Sequence, residues 1–150
     1  MEAKKKSETI AHNRRAGFEY AFLEKYIAGI QLTGTEIKSV RAKEVNLSDG
    51  FCAFQEGELF LKNVHISEYT EGSYNNHEPK RDRKLLLTKN ELRKISNKMK
   101  DKGLTIVPVI MFIPESGYAK IEIAVAKGKK SYDKRESIKQ KDIKRALERD

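Results

Sequence analysis

Apolar and polar positions alternate over Phe18, Tyr20 and Phe22, and Tyr26, Ile27, Ile30 and Leu32 extend the run with aromatic and β-branched residues. This pattern predicts a long bent strand over residues 18–32, with Gly29 as a bulge. Thr33 stands three residues before Glu36, the spacing of a capping box, in which hydroxyl and carboxylate satisfy free amides at a helix start. Ile37 and Val40 then share a face, so a short helix is predicted over residues 35–42. Residues 51–55 and 59–64 flank Glu56-Gly57-Glu58 and read as a hairpin, because glycine admits the positive φ of a tight turn.

A polar loop over residues 68–83 follows. Thr88 with Glu91 forms a second capping box, and Leu92, Ile95 and Met99 recur at helical spacing until Gly103 ends the helix. Residues 104–113 and 118–126 flank Pro114-Glu115-Ser116-Gly117, and Ile121, Ile123 and Val125 alternate with Lys120, Glu122 and Ala124, which predicts a second hairpin. Five or six mostly antiparallel strands with two helices are most simply arranged as a mainly β fold with short helices, a closed Greek-key or OB-like barrel. The 150 residues make one such domain, over residues 9–130. Residues 1–8 are lysine-rich, lack periodicity and are expected to be disordered.

Charge changes this picture at one end. Charged residues make up 35% of the chain, above the usual quarter, and the net charge is +9. Residues 127–150 hold ten basic and five acidic side chains, more than half of the surplus, with only Tyr132, Ile138, Ile143 and Leu147 as sizeable apolar groups. So few apolar groups do not offset chain entropy, and residues 131–150 read as a flexible basic tail. The alternative is an amphipathic helix packed on the body through Ile138, Ile143 and Leu147. A flexible cationic appendage seeks a polyanion, because each Lys or Arg that meets a phosphate releases condensed counterions.

Little in the sequence suggests catalysis. Cys52 is the sole cysteine, so it forms no internal bridge, and it makes no zinc set at recognised spacing with His12, His65 and His77. This usage fits a reducing compartment, and with neither a long apolar run nor an apolar stretch behind the first lysines the expectation is cytoplasmic, with no membrane partner. A P-loop would need glycine where Ile123 stands before Gly128-Lys129, and H-E-x-x-H, G-x-S-x-G and dinucleotide fingerprints are missing. Cys52 lies in an apolar strand as an inert thiol. Glu36, Glu91 and Glu122 are explained by capping or by the solvent face of a strand.

No metal, cofactor or catalytic residue is therefore expected. The rivals are a ribonuclease using His65 or His77 with a lysine, and a structural ribosomal protein. Three basic clusters fit phosphate binding: Asn13-Arg14-Arg15; Lys38, Arg41 and Lys43; and Lys80, Arg81, Arg83 and Lys84. Each is either a solvated face or part of a continuous basic surface. Asn75-Asn76-His77 is either an RNA-reading loop or a polar connection, and His12 either leads the first strand in solvent or contacts phosphate.

Several separated blocks match one family in its order, from about residue 9 to 145. They are Ile10-Ala11 with Asn13-Arg14-Arg15-Ala16; Ala28-Gly29-Ile30 and Leu32; Gly34-Thr35-Glu36-Ile37-Lys38-Ser39-Val40-Arg41; Asn46-Leu47-Ser48-Asp49; His65-Ile66-Ser67; Asn76-His77; Arg83-Lys84-Leu85-Leu86-Leu87; and Ala126-Lys127-Gly128-Lys129-Lys130 with Tyr132-Asp133-Lys134-Arg135. In these the chain resembles the bacterial SsrA-binding protein family, SmpB.

The resemblance implies an oblong OB-related barrel with a tail that is disordered in free solution. It implies a non-enzymatic adaptor that binds the tRNA-like domain of transfer-messenger RNA (tmRNA, or SsrA RNA). With elongation factor Tu complexed with alanyl-tmRNA, the adaptor delivers this RNA to stalled 70S ribosomes and starts trans-translation. The body would sit at the 16S rRNA decoding centre and the tail would enter the empty mRNA channel, with the protein a monomer. For tmRNA contact the resemblance and the basic clusters together point to Asn13, Arg14, Arg15, Glu36, Lys38, Arg41, Arg83, Lys84, Leu85 and Lys127, although the cap alone would explain Glu36. For the ribosome they point to Phe18, Gly128, Lys129, Lys130, Tyr132, Asp133, Lys134 and Arg135. Three positions depart from the family: Gly17 and Phe18 replace a basic residue and a histidine, and Ile27 replaces an acid. Phe18 keeps a π-face for stacking but no proton to donate.

Overall fold

The computed structural model describes residues 7–70 and 76–129. The expected tail, residues 131–150, lies outside the described residues, as do residues 1–6. The elements run β1 (Glu8–His12), α1 (Arg14–Glu19), β2 (Tyr20–Ile30), α2 (Gly34–Arg41), β3 (Val45–Asn46), β4 (Phe51–Gln55), β5 (Glu58–Lys62), β6 (His65–Ile66), β7 (Arg83–Leu86), α3 (Lys89–Lys98), β8 (Leu104–Ile113) and β9 (Lys120–Gly128). The fold is mainly β with three short helices.

Seven strands pair in the order β1-β8-β4-β5-β7-β2-β9, all antiparallel, and β8 pairs with β9 as well. The pairings therefore return on themselves through β8, and β3 with β6 forms a small separate ribbon. Ile30, Leu59, Leu61, Ile66, Leu85, Ile106, Met111, Ile121 and Ile123 lie in the main core. The opposite faces of β8 and β9 are buried too: Val107, Val109, Ala124 and Ala126 pack with Ala16 of α1. A face of small residues lets the helix backbone approach the sheet closely.

Both capping boxes form. Thr33 Oγ1 accepts from the Glu36 amide while Glu36 Oε1 accepts from the Thr33 amide, and Thr88 and Glu91 do the same at the start of α3. Both hairpins form as well. Gln55 pairs with Glu58 across a two-residue turn in which Glu56 (φ +52°) and Gly57 (φ +81°) are both left-handed, the combination that matches strand twist. At the tip of the second hairpin the Gly117 amide donates to the Pro114 carbonyl at 2.8 Å, with Gly117 at φ +87°.

Four details differ from expectation. Glu8 belongs to β1, which pairs with the end of β8, rather than to a disordered leader. Residues 14–19, including Phe18, are helical, because the Asn13 side chain caps α1 by accepting from the Ala16 amide at 3.2 Å. The register shift in β2 falls between Phe22 and Glu24, not at Gly29. A Cβ at residue 29 would lie 3.2 Å from Leu86 Cβ, so this glycine admits β7 rather than a bulge. Finally, β7 occupies residues read as the end of a loop and an unassigned apolar run; Arg83 points inward there and breaks the apolar alternation.

Candidate nucleic-acid interface

The strand β2 separates two groups of expected contact residues. Tyr20 pairs with Gly128 at one end and Gly29 with Lys120 at the other, a span of about 30 Å at the rise of an extended chain. At the first end α1 lies beside the end of β9: the Lys129 amide donates to the Glu19 carbonyl at 2.8 Å and Lys129 Nζ to the Gly17 carbonyl at 3.2 Å. Arg14, Arg15, Lys127 and Gly128 are exposed here and Phe18 is half-buried. Arg15 is tied by Nε to Glu19 at 2.8 Å and by Nη1 to Asp49 at 3.4 Å, both pairs near the surface. Between α1 and β4 opens a groove of about 450 Å³, lined by Asn13, Arg15, Tyr20, Asp49, Phe51 and Asn63 among others.

Asn13 itself is buried. Its Nδ2 donates to the carbonyls of Pro108 (2.9 Å) and Leu47 (3.3 Å), and its backbone amide donates to the carbonyl of Val109 (2.7 Å). Register shifts between Pro108 and Ile110, so one asparagine both caps α1 and satisfies carbonyls at the irregularity of β8. Every polar atom of the side chain expected to contact a base or sugar is thus bonded inside the protein in this structure.

At the second end Glu36, at the third position of α2, lies under two arginines. Arg83 Nε donates to Oε2 at 2.7 Å; Arg81 Nη2 donates to Oε1 at 2.7 Å and its Nε to Oε2 at 3.1 Å. Arg83 completes its shell on the carbonyls of Val64 (2.8 Å) and Pro79 (3.0 Å). Burial pushes the Glu36 carboxyl upward, but hydrogen bonds from Arg81, the Thr33 amide and Arg83 outweigh it and hold the pKa at about 2, against an ordinary 4.5. Burial likewise lowers Arg83, which nevertheless stays a cation at neutral pH.

Glu36, Arg83 and Leu85, expected as RNA contacts, expose nothing to solvent in this structure. They hold neighbours that do reach the surface. Of these, Lys38 stands 5.1 Å over the Tyr69 ring, Arg41 is exposed, and half-buried Lys84 lies 3.7 Å from Glu58. His77 is a connection rather than a reader: its Nε2 donates to the Ile66 carbonyl and its Nδ1 accepts from the Thr35 hydroxyl, both at 2.9 Å. Asn76 binds both backbone polar groups of Tyr69. His77 is thus taken up as a structural group, which leaves His65 as the histidine of the ribonuclease alternative.

Arg81, the half-buried partner in the Glu36 clasp, is visible in sequence only as one cation in a run. Phe51 and Tyr118, 41% and 79% exposed, were read as strand residues because apolar type gives no hint of which face is covered. Lys130, Tyr132, Asp133, Lys134 and Arg135 lie outside the described residues. Among the described residues, no group of three or more His, Cys, Asp or Glu side chains is placed to hold a metal ion. No helix there is long and apolar enough to cross a membrane. Cys52 is buried, and burial drives its thiol pKa well up, away from reactivity.

Comparison with known proteins places these features in one context. The family model described as SmpB protein matches residues 10–150. The SsrA-binding protein of Bacteroides thetaiotaomicron is 60% identical over 137 residues, 91% of each chain, and that of Phocaeicola vulgatus is 58% identical over the same shares. The SsrA-binding protein of Ligilactobacillus salivarius is 51% identical over 147 residues, 98% of this chain and 94% of its own. A solved structure from work described as "tmRNA-SmpB: a journey to the center of the bacterial ribosome" superposes with a TM-score of 0.70 at 47% identity, covering 85% of this chain and 93% of the other. With the match running from β1 to the end of the sequence, the chain belongs to the SmpB family.

Proposed function

We propose that this protein binds tmRNA and carries it into trans-translation on stalled ribosomes, acting as a monomeric cytoplasmic adaptor without chemistry of its own. The observation that carries this reading is the division of its accessible cations. Arg14, Arg15 and Lys127 lie by α1, and Lys38, Arg41 and Arg81 lie by α2, at opposite ends of β2 in a member of the SmpB family. One rigid body with two cationic ends suits an adaptor that touches two RNA surfaces at once. The circuit of pairings through β8 supports reading the sheet as a closed OB-like barrel that keeps those ends apart.

The tRNA-like domain of tmRNA, with elongation factor Tu on its alanyl-tmRNA, forms one side of this assembly. The 16S rRNA of the decoding centre meets Phe18, Gly128 and Lys129 at the α1 end, beside the tmRNA contacts Arg14, Arg15 and Lys127, and β9 leads into residues 131–150, which enter the empty mRNA channel. Deleting residues 131–150 tests the division: affinity for tmRNA should stay nearly unchanged while peptide tagging on stalled ribosomes disappears. A large loss of tmRNA affinity would overturn it. Incubation with labelled RNA should give no cleavage, and cleavage would favour the ribonuclease reading.

A further inference from the structure

Tyr118 is the most exposed of the large apolar side chains in the described part of the chain, at 79%. It follows Gly117 at the tip of the β8–β9 hairpin and lines a cleft of about 290 Å³ that runs to α2. Ile30, Leu32, Ile37 and Ile113 form apolar walls, while exposed Arg41 shares the cleft with Tyr118. The volume is at the small end of the roughly 300–1,000 Å³ usual for organic ligands, space for one flat ring rather than a stack of nucleotides.

Arg41, the cation in the cleft, is available, and two further cations lie on or just after the same helix. Arg41 and Lys43 make no ion pair among the described residues, and Lys38 has only its contact with the Tyr69 ring, whereas Arg81, Arg83 and Lys84 are matched to carboxylates. A polyanion with flat apolar side groups fits this combination: a phosphate meets Arg41 while a base leaves its stack for the phenol face and the aliphatic walls. We infer that the cleft between α2 and the β8–β9 hairpin holds a single unstacked nucleobase of the bound RNA, with Tyr118 as its stacking platform and Arg41 as the neighbouring cation. This rests on the RNA-binding reading above and adds a base-holding site to it.

Tyr118 is exposed, so its substitution leaves the core intact. The chain contains no tryptophan, so Tyr118→Trp supplies a single indole reporter at the site. The full chain is titrated with the tRNA-like domain of tmRNA at several salt concentrations. Tyr118→Ala should weaken binding by about five- to a hundred-fold, the range for one base–aromatic stack, without changing the salt slope. Arg41→Ala should weaken binding and lower the slope by about 0.7.

Tyr118→Trp should keep the affinity, and its emission should be quenched by the RNA but not by inorganic polyphosphate, which has the charge without the bases. Unchanged affinity in Tyr118→Ala, a Trp signal that ignores RNA at saturation, or equal quenching by polyphosphate would overturn the site. Failure of the unsubstituted chain to bind the RNA would instead overturn the proposed function.

Discussion

Arg83 donates from Nε to Oε2 of Glu36 across 2.7 Å, and neither side chain exposes any surface to solvent. The same carboxylate accepts from Arg81 and from the Thr33 amide, so one anion joins the start of α2 to β7 and to the segment entering it. Two buried charges are costly to desolvate, and a clasp of this kind persists only when nearly every lone pair and N–H is satisfied. Here they are, through Val64 and Pro79 on the arginine side. The consequence is positional: Arg81, Lys38 and Arg41 are presented from a frame that the buried pair fixes.

Acid should loosen that frame. The Glu36 carboxyl is held at about 2 in the folded chain against an ordinary 4.5, so its contribution is present above pH 4.5 and is lost as pH falls through the window toward 2. The shift corresponds to about 3 kcal/mol. Urea unfolding measured from pH 6 to pH 2 should show this decline, and Glu36→Gln, already less stable at pH 6, should follow a flatter curve. Parallel curves for the two proteins would show that another group governs acid unfolding.

Asn13→Ala should lower stability by about 2–3 kcal/mol, because it removes the α1 cap and leaves the Pro108 carbonyl without its side-chain donor. Asn13→Asp keeps the acceptor for the Ala16 amide but sets a buried carboxylate oxygen against the Pro108 and Leu47 carbonyls, so at neutral pH its thermal midpoint should be no higher than that of the alanine variant. RNA affinity of the alanine variant, measured at a temperature where it is fully folded, should change less than its stability does. A severe affinity loss in a protein of unchanged thermal midpoint would return Asn13 to the role of a direct contact.

Elements whose signal is local were legible in the sequence: two capping boxes, two hairpins and the alternation of Ile121, Ile123 and Val125 all form, although Glu58, read as turn, opens β5 and Tyr118, read as strand, precedes β9. Elements whose signal is a distant partner were not. α1 has one buried residue, Ala16, and its cap relies on Asn13, whose other bonds reach residues 34 and 95 positions away. β7 hides behind Arg83, an inward cation that makes sense only once Glu36 stands opposite. The site divides in the same way. Charge counting finds the exposed lysines and arginines, whereas whether a given polar side chain faces RNA or its own core depends on contacts that no spacing rule encodes.

Gly50 tests the packing between the turn after Leu47 and β8. A Cβ there would stand 2.5 Å from Val64 Cγ2 and 3.0 Å from Pro108 Cγ, both belonging to buried residues. Gly50→Ala should therefore cost about 1–3 kcal/mol in urea unfolding. Val64→Ala removes the nearest clashing methyl, so the double variant should be more stable than the sum of the two single losses predicts. Strict additivity would mean that the strain is relieved by backbone movement elsewhere.

The β4–β5 turn offers the opposite direction of change. Glu56 is held at φ +52° beside Gly57 at +81°, yet a glutamate side chain disfavours the left-handed region that a two-residue turn of this type requires. Asparagine tolerates that region because its short amide can bond locally. Glu56→Asn should accordingly stabilise the protein by roughly 0.5–1 kcal/mol, the scale of turn substitutions that remove backbone strain. Because Glu56 is exposed and takes part in no ion pair among the described residues, the gain should be the same at low and high salt. A stability gain that vanishes in high salt would trace the effect to the lost charge rather than to the turn.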